Sequence, residues 1–161
     1  MTFWRSVGHS YTAFAKESMI DEMAEAAGMD EVAFRLQNTQ STPRLNNVIR
    51  VAGEHMAKMN PPEGHHLGFA AHHSFYTDVA EIAEVSVENG KIRVHKVTCV
   101  LDCGQAVNPD IVRSQIEGGV IYVRARVADP NSHRKLVLDA IRSTCEVQRS
   151  HCSNSWASTA R

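Results

Sequence analysis

The sequence predicts an α+β fold, with a helical layer packed on a mostly antiparallel sheet. Apolar residues recur at helical spacing through the first third of the chain, and a period-two pattern replaces them after Asn60-Pro61-Pro62-Glu63-Gly64. Asn89-Gly90 then sits between two β-rich runs as a two-residue hairpin turn, because both residues tolerate positive φ. With 161 residues, 43% of them hydrophobic, the chain is long enough to bury one core.

From Tyr11 to Ala27 the apolar positions Ala15, Met19, Ile20, Met23, Ala26 and Ala27 fall at helical spacing, with Lys16, Glu17, Asp21, Glu22 and Glu25 largely between them. That is the pattern of an amphipathic helix, whose apolar stripe is expected to face a core. Gly28 is placed to close it, and Asp30 to cap a short second helix over Val32, Phe34, Arg35 and Leu36 with Glu31 in its first turn. Ser41-Thr42-Pro43 supplies a cap and a first-turn proline for a third helix through Leu45, Val48, Ile49, Ala52 and Met56.

Leu67 to Phe75 and Val79 to Val87 read as strands. In the second, Val79, Glu81, Ala83, Val85 and Val87 alternate with Ala80, Ile82, Glu84, Ser86 and Glu88. Ile92, Val94, Lys96 and the β-branched run to Leu101 form the returning strand, and Pro109 and Asp110 start a last helix with Ile111, Val112, Ile116 and Val120 on its apolar face. Beyond Tyr122 the composition changes to arginine, serine and cysteine. The expectation there is a weak helical window from Arg134 to Arg142, no sharp structure after Ser143 and disorder from Cys152 to Arg161.

A net charge of -1 with mixed signs leaves no extended basic face for nucleic acid. No apolar run approaches the roughly 20 residues of a membrane span, and Met1 to Arg5 lacks the regions of a secretory signal, so a cytoplasmic location is expected. Cys99, Cys103, Cys145 and Cys152 form neither a CxxC pair nor a regular framework, which points to a reduced compartment and away from zinc.

Two carboxylate pairs, Asp21 with Glu25 and Glu81 with Glu84, have the residue types of an acid and a base but lie where solvated charges belong. The histidines His65, His66, His72 and His73 are of metal-ligand type. Adjacent residues on a strand point to opposite faces, however, so surface or cleft-lining histidine is the plainer reading and no metal site is assigned. No serine elbow, phosphate-binding glycine loop, dinucleotide fingerprint or HExxH helix is present.

Three longer patterns carry a resemblance. Asp102-x-Gly104 is followed by Asn108-Pro109 and Gln115-x-Glu117-Gly118; Trp4-Arg5-Ser6-Val7-Gly8 leads into Phe14 to Ala24; and Val79 to Val85 runs through the hairpin into Val94 to Val97. Together they resemble the large molybdopterin-binding subunit of the molybdenum hydroxylases, the xanthine dehydrogenase and aldehyde oxidase family, and are most similar to the isoquinoline 1-oxidoreductase beta-subunit group. The resemblance spans residues 3–122 and implies part of a larger molybdopterin-binding domain. Residues 123–161 lose the register and read as a frame-shifted or unrelated tail.

The same resemblance implies a molybdenum cofactor held by Arg5, Gly8, Gln115 and Gly118, an N-heterocycle or aldehyde hydroxylated with water, and electrons passed to an iron–sulfur subunit. Arg5 brings charge beside a helix start, and Gln115 both a donor and an acceptor for a pterin edge; a solvent-facing arginine and a helix-surface amide are the structural alternatives. Val7 and Phe75 fall where the family carries walls of the substrate pocket, with Phe75 equally readable as strand core. The family's catalytic glutamate lies in a Gly-x-Gly-Glu motif that this sequence does not contain, so no catalytic residue is assigned and the chain alone is expected to be inactive.

Overall fold

The computed structural model describes residues 6–89, 91–127 and 145–149. Three helices come first, α1 (His9–Ala26), α2 (Glu31–Asn38) and α3 (Pro43–Met56), followed by β1 (His65–Ser74), β2 (Thr77–Glu88), β3 (Lys91–Asp102), α4 (Pro109–Val127) and β4 (Cys145–Arg149). The strands lie in the order β1-β2-β3-β4, with the first three antiparallel. The expected α+β meander is what forms.

Local chemistry accounts for the boundaries. Asp30 accepts from the backbone N–H groups of Val32 and Ala33 and so caps α2. Pro43 occupies the first turn of α3, but Thr42 does not cap that helix as its sequence suggests; its hydroxyl instead donates to the Thr39 carbonyl. Asn108 accepts from Asp110 and Ile111 at the start of α4.

The register divides the sheet into two apolar faces. Phe69, Ala71, Ala80, Ile82 and Val100 lie under Val48, Ile49 and Ala52 of α3, forming the main core. On the other face Val94, Val97 and Cys99 pack with Val120 and Ile116 of α4. A bulge opposite Glu84 and Val85 leaves His95 as the extra residue of β3. Helix α2 reaches this core through α3: a Cβ on Gly53 would stand 2.6 Å from a methyl of Val32, so only glycine admits that contact.

Helix α1 departs from its expected orientation. Met19 and Met23 of its supposed core stripe are exposed, whereas Glu17 is 4% exposed and Ala24 is buried. The cause is its position beside the free edge of β1. There the Ala71 N–H donates to Glu17 Oε2 at 2.8 Å, and Lys16 donates to the Ala71 carbonyl at 3.1 Å. An unpaired strand edge needs polar partners, so the polar side of α1 turns inward. Arg35, 2% exposed, completes the arrangement: its Nε donates to Glu17, another nitrogen donates to Asp21, and its guanidinium stands 5.5 Å from the Phe69 ring centroid.

Two further expectations change. The first strand stops at Ser74, so Phe75 belongs to a turn. After Ser143 the chain is not without regular structure, since Cys145–Arg149 pairs parallel with Val97 to Leu101 along the outer edge of β3. The helical window at 134–142 and the segment Cys152 to Arg161 lie outside the described residues.

Candidate functional site

At one end of the sheet, β1 turns into β2, β3 ends, and the first turns of α1 and α3 approach. Phe75 and Tyr76 form the two-residue connection of the β1–β2 hairpin with φ of 47° and 63°. A tight hairpin needs this left-handed geometry, and sequences usually meet it with asparagine or glycine. Here two aromatic residues bear the steric cost and remain 68% and 83% exposed. Ser6 and Val7, leading into α1, are also left-handed, at 70° and 48°.

His9, the first residue of α1, links these segments. Its ring meets Phe75 edge-on at 5.1 Å, and its Nδ1 lies 3.0 Å from Nε2 of His72. The predicted wall residues Val7 and Phe75 are thereby brought to the same corner. Burial pushes the His72 imidazole below its ordinary value, assisted by the charge of Lys16 and by His9, with Glu17 opposing.

The Asp102-x-Gly104 motif has a structural task. Arg44 grips the Asp102 carboxylate through Nε at 3.2 Å and Nη2 at 2.9 Å, and the same Nη2 donates to the carbonyls of Asp102 and Tyr76. The Arg44 hydrogen bond holds the Asp102 carboxyl below its usual range. Asp102 also accepts the Gly104 N–H at 2.8 Å, fixing a turn in which Gly104 has a φ of 72°. One arginine therefore joins α3, the hairpin and the end of β3. Nearby, His73 pairs with Asp78 at 2.8 Å. An open, largely apolar cleft of about 370 Å³ follows, lined by Cys103, Val107, Asn108, Ile111 and Val112 among others.

The remaining site residues spread over two helices. Gly8 precedes α1, whose first turn holds no acidic residue and no side-chain cap, and a Cβ at Gly8 would press within 3.3 Å of the Tyr11 hydroxyl. Gln115 is exposed and Gly118 half-buried on α4. Arg5 lies outside the described residues. The two helix starts differ in their side-chain chemistry: α1 has no acidic residue and no side-chain cap, with the N–H groups of His9, Tyr11 and Thr12 bonded to the Ser6 and Gly8 carbonyls, while Asn108 and Asp110 occupy the start of α4. Of the two, the acid-free positive end of α1 is the one whose chemistry suits an anionic group such as the phosphate of molybdopterin.

The carboxylate pairs do not form acid–base couples. Glu81 and Glu84 face opposite sides of β2, with burial raising the Glu81 carboxyl above its ordinary value, and Asp21 is tied to Arg35. The histidines separate as strand geometry requires. His65 stacks on His95 at 4.0 Å and pairs with Glu84, while His72 and His73 take different partners. Among the described residues no group of three or more side chains is arranged to hold a metal ion. Sequence reading missed His9 and Arg44. The sequence held no local signal for either, and the expected strand through Phe75 hid the turn that both of them meet.

The model of a molybdopterin cofactor-binding domain matches residues 5–122. The chain belongs to the molybdopterin cofactor-binding domain family. It is 32% identical over 125 residues to the beta chain of isoquinoline 1-oxidoreductase from Brevundimonas diminuta, covering 74% of this chain and 16% of that protein. It is also 32% identical over 146 residues to a nicotinate dehydrogenase subunit of Pseudomonas putida, covering 78% of this chain and 12% of that protein. The chain thus corresponds to less than a fifth of either relative's length. The family match makes molybdopterin the cofactor of the parent enzyme type. No described helix is long and apolar enough to cross a membrane.

Proposed function

We propose that the chain is the part of a molybdenum hydroxylase subunit that holds molybdopterin against the substrate, with residues 3–122 doing so and 123–161 supplying none of the site residues. The observation that carries this reading is the family match over residues 5–122, combined with a helix start behind Gly8 that holds no acidic residue and no side-chain cap. Arg5 supplies positive charge to the anionic end of the cofactor, the helix start behind Gly8 turns its positive dipole end toward it, and Gln115 donates to and accepts from the pterin edge. Gly118 lets the backbone approach closely. Val7 and Phe75 form apolar walls for a flat substrate.

When bound, the cofactor would supply oxidative hydroxylation with water as the oxygen source, the electrons going to iron–sulfur clusters of a partner subunit. The names of both relatives favour an N-heterocycle as the substrate class over an aldehyde. The chain's own residues bind and orient; the glutamate that the family uses as a base is not among them, so the chain alone is inactive.

Pterin and molybdenum analysis of the purified chain, with and without an iron–sulfur subunit, tests this reading. Pterin should copurify and fall several-fold in Arg5→Ala and Gln115→Ala. An absence of pterin in both preparations refutes the assignment, and turnover by the chain alone refutes its inactivity.

A further inference from the structure

The corner formed by Val7, His9, His72 and Phe75 carries more information than two apolar walls. Of the five described non-glycine residues with positive φ, four (Ser6, Val7, Phe75 and Tyr76) lie in the two segments that meet at the contact of His9 with Phe75. Left-handed geometry costs a non-glycine residue about 1–2 kcal/mol, and such strain gathers where a site needs it. The ring of Phe75 is held out at the surface by this backbone, touched at its edge by His9.

The hydrogen bond between the two imidazoles fixes where their protons lie. His72 Nδ1 is buried and has no partner, while its Nε2 faces His9 Nδ1 at 3.0 Å. An orphaned buried N–H is rarer than an under-satisfied acceptor, so the His72 proton belongs on Nε2, where it is donated to His9. The His9 ring, accepting at Nδ1, must then carry its own proton on Nε2. His72 stays neutral because it is buried and neighbours Lys16, so the donor direction does not reverse. His9 Nε2–H has no protein partner among the described residues and stands beside the exposed Phe75 ring.

We infer that His9 is a specificity-determining residue whose Nε2–H donates to the ring nitrogen of a flat heteroaromatic ligand lying against Phe75. The inference rests on the proposal that Val7 and Phe75 wall the substrate pocket, and adds the polar contact that those walls lack. A hydrocarbon of the same shape would leave this donor unpaired. That costs roughly one hydrogen bond, or about tenfold in affinity.

The test uses the full chain at mildly alkaline pH, where the ligand nitrogen is unprotonated. Side-chain ¹H–¹⁵N spectra of the unaltered protein should show both His9 and His72 protonated at Nε2; a proton on His9 Nδ1 overturns the inference without recourse to any variant. Isoquinoline and naphthalene are then titrated in parallel, with isoquinoline expected to bind about tenfold tighter. His9→Phe should bring the two affinities together, and His9→Gln, which keeps a donor, should retain part of the difference, each variant's fold being checked by circular dichroism. Equal binding of both ligands to the unaltered chain, or binding of neither, refutes the role of His9. Pterin analysis separates the two readings. Retained pterin without discrimination sinks only the His9 inference; discrimination without pterin sinks only the cofactor reading.

Discussion

Helices α1 and α3 both pack beside β1, and they do so with opposite chemistry. Helix α3 lies over the face of the sheet and buries Val48, Ile49 and Ala52, as an amphipathic pattern requires. Helix α1 lies along the strand edge, where the backbone of Ala71, with no strand beside it, asks for a donor and an acceptor. It therefore buries Glu17 and leaves Met19 and Met23 outside. A helix over a sheet face is selected for apolar area, and a helix beside a sheet edge for hydrogen-bonding capacity. The same residue spacing serves both, which is why periodicity alone did not tell them apart.

The sharpest way to break this comparison is at Arg35. Arg35→Ala leaves the buried Glu17 carboxylate without its main partner and should cost about 3–5 kcal/mol in urea unfolding. A loss under 1 kcal/mol would mean that Lys16 and Ala71 suffice to hold α1. On the apolar side, Ile49→Ala should cost about 2–5 kcal/mol through lost transfer energy and the cavity left behind. Its calorimetric transition should shift without any change in the pH dependence of stability.

The polar junction should respond to pH where the apolar one does not. Glu31 is pushed up to about 7, first by burial and then by Asp21 and Asp30, against the opposing charge of Arg35. A carboxyl raised in the folded state favours folding while protonated. Its contribution is therefore full below about pH 4.5 and is lost as the pH rises toward 7. Denaturation midpoints measured across that window should fall less steeply in Glu31→Gln than in the unaltered chain. The smallest effect is expected at Met19→Ala, within about 0.5 kcal/mol, because that side chain already faces solvent. A larger loss would place Met19 in a packed interface.

Much of the fold was legible because its signals are local. Asp30 before a helix, Pro43 in a first turn, Asn108-Pro109 at another and Asn89 in the hairpin each impose their geometry within a few residues. The α1 orientation was not legible, since it depends on which strand ends at an edge 54 residues away. The site was legible in kind: the DxG and QxEGG spacings identified the family, while composition alone did not. Its geometry was hidden for the same reason as α1. Arg44 meets Asp102 across 58 positions and His9 meets His72 across 63, and neither residue sits in a motif. The expected strand through Phe75 failed because hydrophobicity was read as burial where the backbone had to turn.

The left-handed Phe75-Tyr76 turn also bears on how this protein responds to selection. A library screened only for heat resistance should find asparagine and glycine at these two positions early, since they relieve the backbone at no cost to packing. Each gain there would remove an aromatic surface at the corner where His9 waits. Thermal resistance and recognition would pull this turn in opposite directions, and the residues it now carries record which demand prevailed.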